Sequence, residues 1–131
     1  LIIFVQLSYS GSHSISGTIT FEGKGDLYIL LADSTNFKTP TEATQKLARK
    51  LTFQEQKEHK ATFNLDNIEP GTYAIKCFID ENNNGKLDMG VFGPKEPWGM
   101  SWKKSKPFGV PDFSDASFLS SKNQKITITI E

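Results

Sequence analysis

The sequence predicts an all-β domain, an antiparallel β-sandwich of about seven strands with at most one short helix. Three observations lead there. Short runs in which apolar and polar residues alternate recur along the chain, as in "SISGTITF", "KATFNLDNI" and "TYAIKCFID", and a period of two marks a half-buried strand. Gly, Pro, Asn and Asp cluster between those runs, where tight turns select them. Only residues 41–51, "TEATQKLARKL", are rich in helix formers, and they hold few apolar positions.

The chain opens with "LIIFVQLSYSGSHS", a short apolar run followed by small and polar residues. That is how the end of a secretion signal looks, the alternative being an ordinary first strand. The run is too short for a bilayer, which takes about 20 apolar residues, so no membrane span is expected. Residues 1–13 are therefore set apart as a signal-peptide remnant or N-terminal extension, and 14–131 as one domain. A chain of 131 residues can bury a core without disulfides or metal. From Ser14, the residues Ile15, Gly17, Ile19 and Phe21 make an inward face. "FEGKGD" turns the chain into "DLYILLAD", apolar enough to be covered on both faces, and the two strands are expected to pair as a hairpin. "STNFKTP" ends the second strand, and residues 41–51 follow as a short surface helix or irregular crossover. "KLTFQEQ", with Leu51 and Phe53, and "KATFNLDNI", with Ala61, Phe63 and Leu65, read as two more strands joined by the charged turn "KEHK". In "EPGTYAIKCFID" Pro70 and Gly71 supply the turn, and Tyr73, Ile75, Cys77 and Ile79 fall on one face. Residues 80–122 form a long structured excursion with little alternation, and "QKITITIE" closes the chain with Ile126, Ile128 and Ile130 inward.

Fifteen basic residues balance fifteen acidic ones, so there is no field to collect phosphates and nucleic acid is not an expected partner. Cys77 is the only cysteine. Lying in a strand with no basic cluster beside it, it is expected to be a buried, unreactive apolar residue. The lack of disulfides is compatible with an extracytoplasmic home. His13 and His59 have no nucleophile or ligand nearby in sequence and are expected to be solvated, and Arg49 is the only arginine. A hydrolase would need a cluster of such groups around a cleft, so a non-enzymatic role is expected. Asp112 and Asp115 in "VPDFSDASF" suit turn or cap roles better than acid–base work.

The most specific pattern is "DENNNGKLDMG" from Asp80 to Gly90. A calcium loop surrounds a large cation with hard oxygens set at alternate positions of a curled backbone. Asp80, Asn82 and Asn84 stand at its positions one, three and five, and Gly85 at six, where the turn needs no Cβ. Lys86 at seven offers its backbone carbonyl, Leu87 is the apolar eighth, and Asp88 stands at nine. Position twelve is Val91, so the bidentate carboxylate of a helix-loop-helix calcium hand is missing. Glu96, between Pro94 and Pro97, is expected to return it if "GVFGPKEPWG" folds back; Glu81, Asp112 and Asp115 are further carboxylates. The plain alternative is a polar hairpin tip. With so few carboxylates the expected affinity for Ca2+ is on the order of 10⁻⁴ to 10⁻³ M, which suits a structural ion. Around the loop gather Phe92, Trp98, Trp102, Phe108, Phe113 and Phe118. Such rings more often staple a loop to a sheet than bind a ligand. An exposed, coplanar pair at Trp98 and Trp102, with Phe108, would instead suit a glycan or peptide.

At these residues the chain resembles the bacterial family called domain of unknown function 2141. The resemblance is carried by "PGTYAIKCFIDENNNGKLDMGVFGPKEPWGMS" from Pro70 to Ser101 and "PDFSDASF" from Pro111 to Phe118, with the closing strand, and extends more loosely from Ile15 to Glu131. Met89 and Gly90 depart from the polar residues common there, and residues 103–106 are unusually basic. The resemblance implies a prealbumin-like β-sandwich exported by Gram-negative bacteria, secreted or periplasmic, and supplies location and fold more than activity. It implies that Asp80, Asn82, Asn84, Asp88 and Glu96 match characteristic polar positions. The combined expectation is an exported, non-enzymatic module with a structural calcium site in the 80–101 loop, facing a cell-surface glycan or protein partner. The alternative is a carbohydrate- or peptide-binding module around Trp98 and Trp102.

Overall fold

The structure, a computed structural model, describes residues 12–39, 42–102 and 110–131. Among the described residues ten strands and two short helices follow one another: β1 (His13–Thr20), β2 (Asp26–Ala32), β3 (Gln45–Lys50), α1 (Phe53–Glu58), β4 (Lys60–Ile68), β5 (Gly71–Asp80), β6 (Met89–Gly90), β7 (Gly93–Pro94), β8 (Trp98–Met100), α2 (Phe113–Ala116), β9 (Phe118–Ser120) and β10 (Gln124–Thr129). One sheet has the order β10-β1-β4, the other β3-β2-β5-β8, with β9 on the start of β5 and β6-β7 as a separate ribbon. All pairings are antiparallel except β1 with β10. The core between the sheets contains Ile15, Ile19, Leu27, Ile29, Leu31, Ile75, Ile79 and Ile128, all essentially inaccessible. The expected inward faces of β1, β4 and β5 are thus found where the alternation put them, whereas Ile126 is only partly buried.

Four expectations are corrected. β1 and β2 do not pair: the chain crosses between sheets, and β2 lies between β3 and β5. A strand apolar on both faces gains most at an interior position, and alternation carries no information about which strand lies beside it. Residues 45–50 form a strand rather than a helix or crossover, because pairing along β2 from Asp26↔Lys50 to Leu31↔Gln45 outweighs helix propensity. Residues 53–58 form a helix rather than a strand, which leaves Phe53 83% exposed. Thr52 Oγ accepts the Glu55 N–H at 3.1 Å while Glu55 Oε1 accepts the Thr52 N–H at 3.0 Å, a capping box that "TFQE" spells out. His13, set apart with the N-terminal extension and expected to be solvated, instead opens β1 and is buried, its Nε2 2.5 Å from Ser120 Oγ. Residues 1–11 lie outside the described ones. His59 is exposed as expected and closes α1 in the left-handed region at φ 57°.

Both open edges of the sandwich are stitched. On one side, Arg49 Nη2 donates to Thr62 O at 2.9 Å and Gln45 Nε2 to Asp66 O at 2.6 Å, joining β3 to β4. On the other, the Trp98 N–H donates to Glu131 O and the Glu131 N–H to Trp98 O, each at 3.1 Å. Six strands of six residues or more make the sandwich, and the four short ones come from the excursion. That excursion is held by a second apolar cluster of Ala32, Phe37, Ala74 and Ala116, with Met100, Trp102 and Phe113 packed on it.

Candidate functional site

The acidic loop begins where β5 ends. Asp80, the last residue of β5, is 1% exposed and pairs with Asp26 of β2. Its Oδ2 accepts the Gly85 N–H at 2.8 Å, while its buried Oδ1 has no hydrogen-bond partner among the described residues. The backbone then curls through two left-handed positions, Asn83 at φ 58° and Gly85 at φ 79°. Asn tolerates that region and Gly occupies it freely. Asn84 Nδ2 donates to Asp88 Oδ1 at 2.7 Å and Asn82 Nδ2 to Asp88 Oδ2 at 2.5 Å. The amide oxygens of the same two residues accept backbone N–H groups, Asn82 Oδ1 from Asn84 at 3.3 Å and Asn84 Oδ1 from Lys86 at 3.1 Å. The hydrogen bonds from Asn84, and then Asn82, hold the Asp88 carboxyl below the usual carboxylate range.

Glu96 does fold back. It is 6% exposed, and its Oε2 accepts the Glu81 N–H at 2.7 Å while Oε1 accepts the Asp88 N–H at 3.0 Å. One side chain therefore clasps both ends of the loop, and each of its oxygens keeps a further lone pair. The Lys95 N–H donates to Asp88 O at 2.8 Å, closing the β6-β7 ribbon between Asp88 and Glu96. An open cleft of about 470 Å³ beside the clasp is lined by Glu81, Asn82, Asp88, Met89, Lys95 and Glu96. Among the described residues no three His, Cys, Asp or Glu side chains group as a metal site on their own. The side-chain oxygens here are of mixed origin, two Asn amides beside the carboxylates, and such a mixture is what a large hard cation accepts.

The other singled-out residues fall elsewhere. Asp112 and Asp115 form a capping box on α2, with the Asp112 N–H donating to Asp115 Oδ2 at 2.7 Å. Trp98 and Trp102 are both half-buried, with ring centroids 6.0 Å apart and planes 62° to each other, so they make an edge contact rather than a flat platform. Phe108 lies outside the described residues. Phe92 and Val91, between β6 and β7, are fully exposed, while Phe113 packs edge-on against Phe37. Cys77 is buried as expected, and burial pushes its thiol well up. Sequence reasoning passed over Lys76, whose Nζ donates to Phe37 O at 2.6 Å and lies 5.4 Å from the Phe37 ring centre. It singled out Trp98 but passed over Tyr28 and Phe78, which stand in the same outward row. The signal for that row was present: Phe78 is apolar but out of phase with Tyr73, Ile75, Cys77 and Ile79.

The fold and loop define a class, an all-β protein with an acidic, Asn-rich loop at the end of a central strand. A family model described as an uncharacterized protein conserved in bacteria, DUF2141, matches residues 18–128, and the chain belongs to that family. No curated protein and no solved structure matches it.

Proposed function

We propose that this protein is an exported, non-enzymatic binding or structural module whose 80–101 loop is organised by a calcium ion. Asp80 supports this reading most: a carboxylate at the floor of the loop, buried, with Oδ1 unpartnered among the described residues. Burying a carboxylate without full hydrogen bonding or a counter-charge costs several kcal/mol. A hard cation offsets that cost. The donors it would use are Asp80, Asn82, Asn84 and Asp88 through their side chains, Lys86 through its carbonyl, and Glu96. The Asn82 and Asn84 amides now turn their N–H groups to Asp88. A half-turn of each would exchange nitrogen for oxygen at the cost of the backbone N–H groups of Asn84 and Lys86 that the amide oxygens now accept, a loss that coordination of a cation in their midst would have to offset.

Thermal unfolding across a calcium series tests it. The midpoint should rise in millimolar Ca2+, by an amount equivalent to about 2.7 kcal/mol when the ion reaches a hundred times its Kd. Asp80→Ala should remove the rise. An unchanged midpoint over the whole series would overturn the proposal.

A further inference from the structure

The outer face of the second sheet, turned away from the core, is not the polar surface that a solvated sheet presents. Reading across the strands, one row is Lys46, Leu30, Lys76 and Met100, and the next is Ala48, Tyr28, Phe78 and Trp98. Tyr28 and Phe78 stack at 4.9 Å with planes 12° apart. Leu30 and Phe78 are each only 6% exposed although they point outward. Over these rows lies a groove of about 370 Å³, walled at one end by Gly85, Lys86 and Leu87 of the acidic loop and at the other side by Trp98 and Met100. That volume is within the range of small-molecule sites, and an apolar lining with a few polar groups is their usual composition.

The charged residues that line the groove have one sign. Its lining includes three lysines, Lys46, Lys76 and Lys86, and no carboxylate. Among the described residues none of the three makes an ion pair within 4.0 Å, although the Lys86 charge reaches Asp88 and, after the hydrogen bonds from Asn84 and Asn82, helps to lower its carboxyl. Lys46 lies 5.2 Å from the Tyr28 ring centre, and Lys76 is tethered by its single hydrogen bond to Phe37 O. Burial pushes the Lys76 ammonium below its ordinary range, so a counter-ion there meets a poorly solvated cation. In a chain with equal numbers of basic and acidic residues, this segregation needs a local reason.

We propose that the groove is a binding site for a small amphipathic carboxylate, its apolar body lying along Leu30, Met100 and the aromatic row and its head group meeting the lysines. The site does not require the calcium reading, although the same loop forms one of its walls. Met100 gives the floor an adaptable shape, suited to alkyl or aryl bodies.

The test uses decanoate and 4-phenylbutyrate as the two bodies, with decanol and 4-phenylbutanol as uncharged counterparts, followed by Trp fluorescence and calorimetry in calcium and in chelator. Both acids should bind saturably, and the tighter one identifies the body. Each alcohol should bind about tenfold more weakly than its acid, the scale of one charge-assisted hydrogen bond. Neutralising the rim on the side away from the acidic loop with Lys46→Gln should weaken the acids about tenfold, leave the alcohols unchanged and leave the melting midpoint alone. Binding of the acids in chelator supports the groove independently of the metal. Equal affinity for acid and alcohol, acid affinity untouched by Lys46→Gln, or no saturable binding in either buffer overturns the proposal.

Discussion

Glu96 shows how one side chain can order a segment that has no regular structure of its own. Its two oxygens accept N–H groups from Glu81 and Asp88, the residues at either end of the curled stretch. Glu96→Gln keeps the shape but places an amide NH2 against a backbone N–H. Loss of a charge-assisted acceptor from a buried site should cost about 2 kcal/mol. Urea denaturation would register it, and amide exchange at Glu81 and Asp88 should quicken ahead of the core; a change under about 0.5 kcal/mol would show that the clasp carries no weight. Much at this scale was legible: the spacing from Asp80 to Asp88 and the Pro-flanked Glu96 named the side chains that the loop hydrogen-bonds together, though not Lys95, whose N–H donates to Asp88 O. What could not be read was partnership. Nothing in "DENNNG" says that the two amides hold Asp88, and nothing in "SGSHS" says that His13 reaches Ser120, 107 residues on. Those contacts depend on where other strands lie.

At the scale of elements, short segments were misread for two distinct physical reasons. β3 holds one apolar inward residue, Leu47, so its alternation was faint, and its identity comes from the backbone of β2. α1 is six residues long, too short for a periodic stripe, and its evidence lay in the capping residues at Thr52 and Glu55 rather than in hydrophobicity. These two elements are joined by the bidentate pair of Arg49 and Glu55, with both N–O distances 2.7 Å. Chiefly through the hydrogen bonds from Arg49, the Glu55 carboxyl falls from 4.5 to about 2. Because the folded form binds its proton less readily than the unfolded chain, the pair's contribution is complete above pH 4.5 and is lost as the pH falls toward 2. After allowance for solvent screening, Glu55→Gln should lower stability by about 2 kcal/mol at pH 7. Denaturation curves of the two proteins should converge as the pH approaches 2; a gap that persists there would assign the loss to the cap alone.

For the molecule as a whole, the all-β sandwich was legible because period-two patterning reports which face is buried, and the strand order was not, because it reports nothing about neighbours. The least legible feature is the closure between β8 and the chain end. Gly99 stands at that crossing: a Cβ built there would lie 2.4 Å from Thr129 O, far inside van der Waals contact. The glycine is thus required by the close approach of two backbones that belong to different sheets. Gly99→Ala should force β8 and the end of β10 apart and loosen the paired bonds between Trp98 and Glu131. A cost of about 3 kcal/mol is expected, at the upper end for overpacking because the obstacle is backbone and cannot rotate away. Since Trp98 and Gly99 also line the outer groove and Pro97 O accepts the Ile79 N–H one residue before Asp80, the same change should redshift Trp emission and speed exchange of the Trp98 and Glu131 amides. If instead the emission and exchange stay as in the parent while stability falls, the two sheets are held by their common core and the stitched edge is incidental.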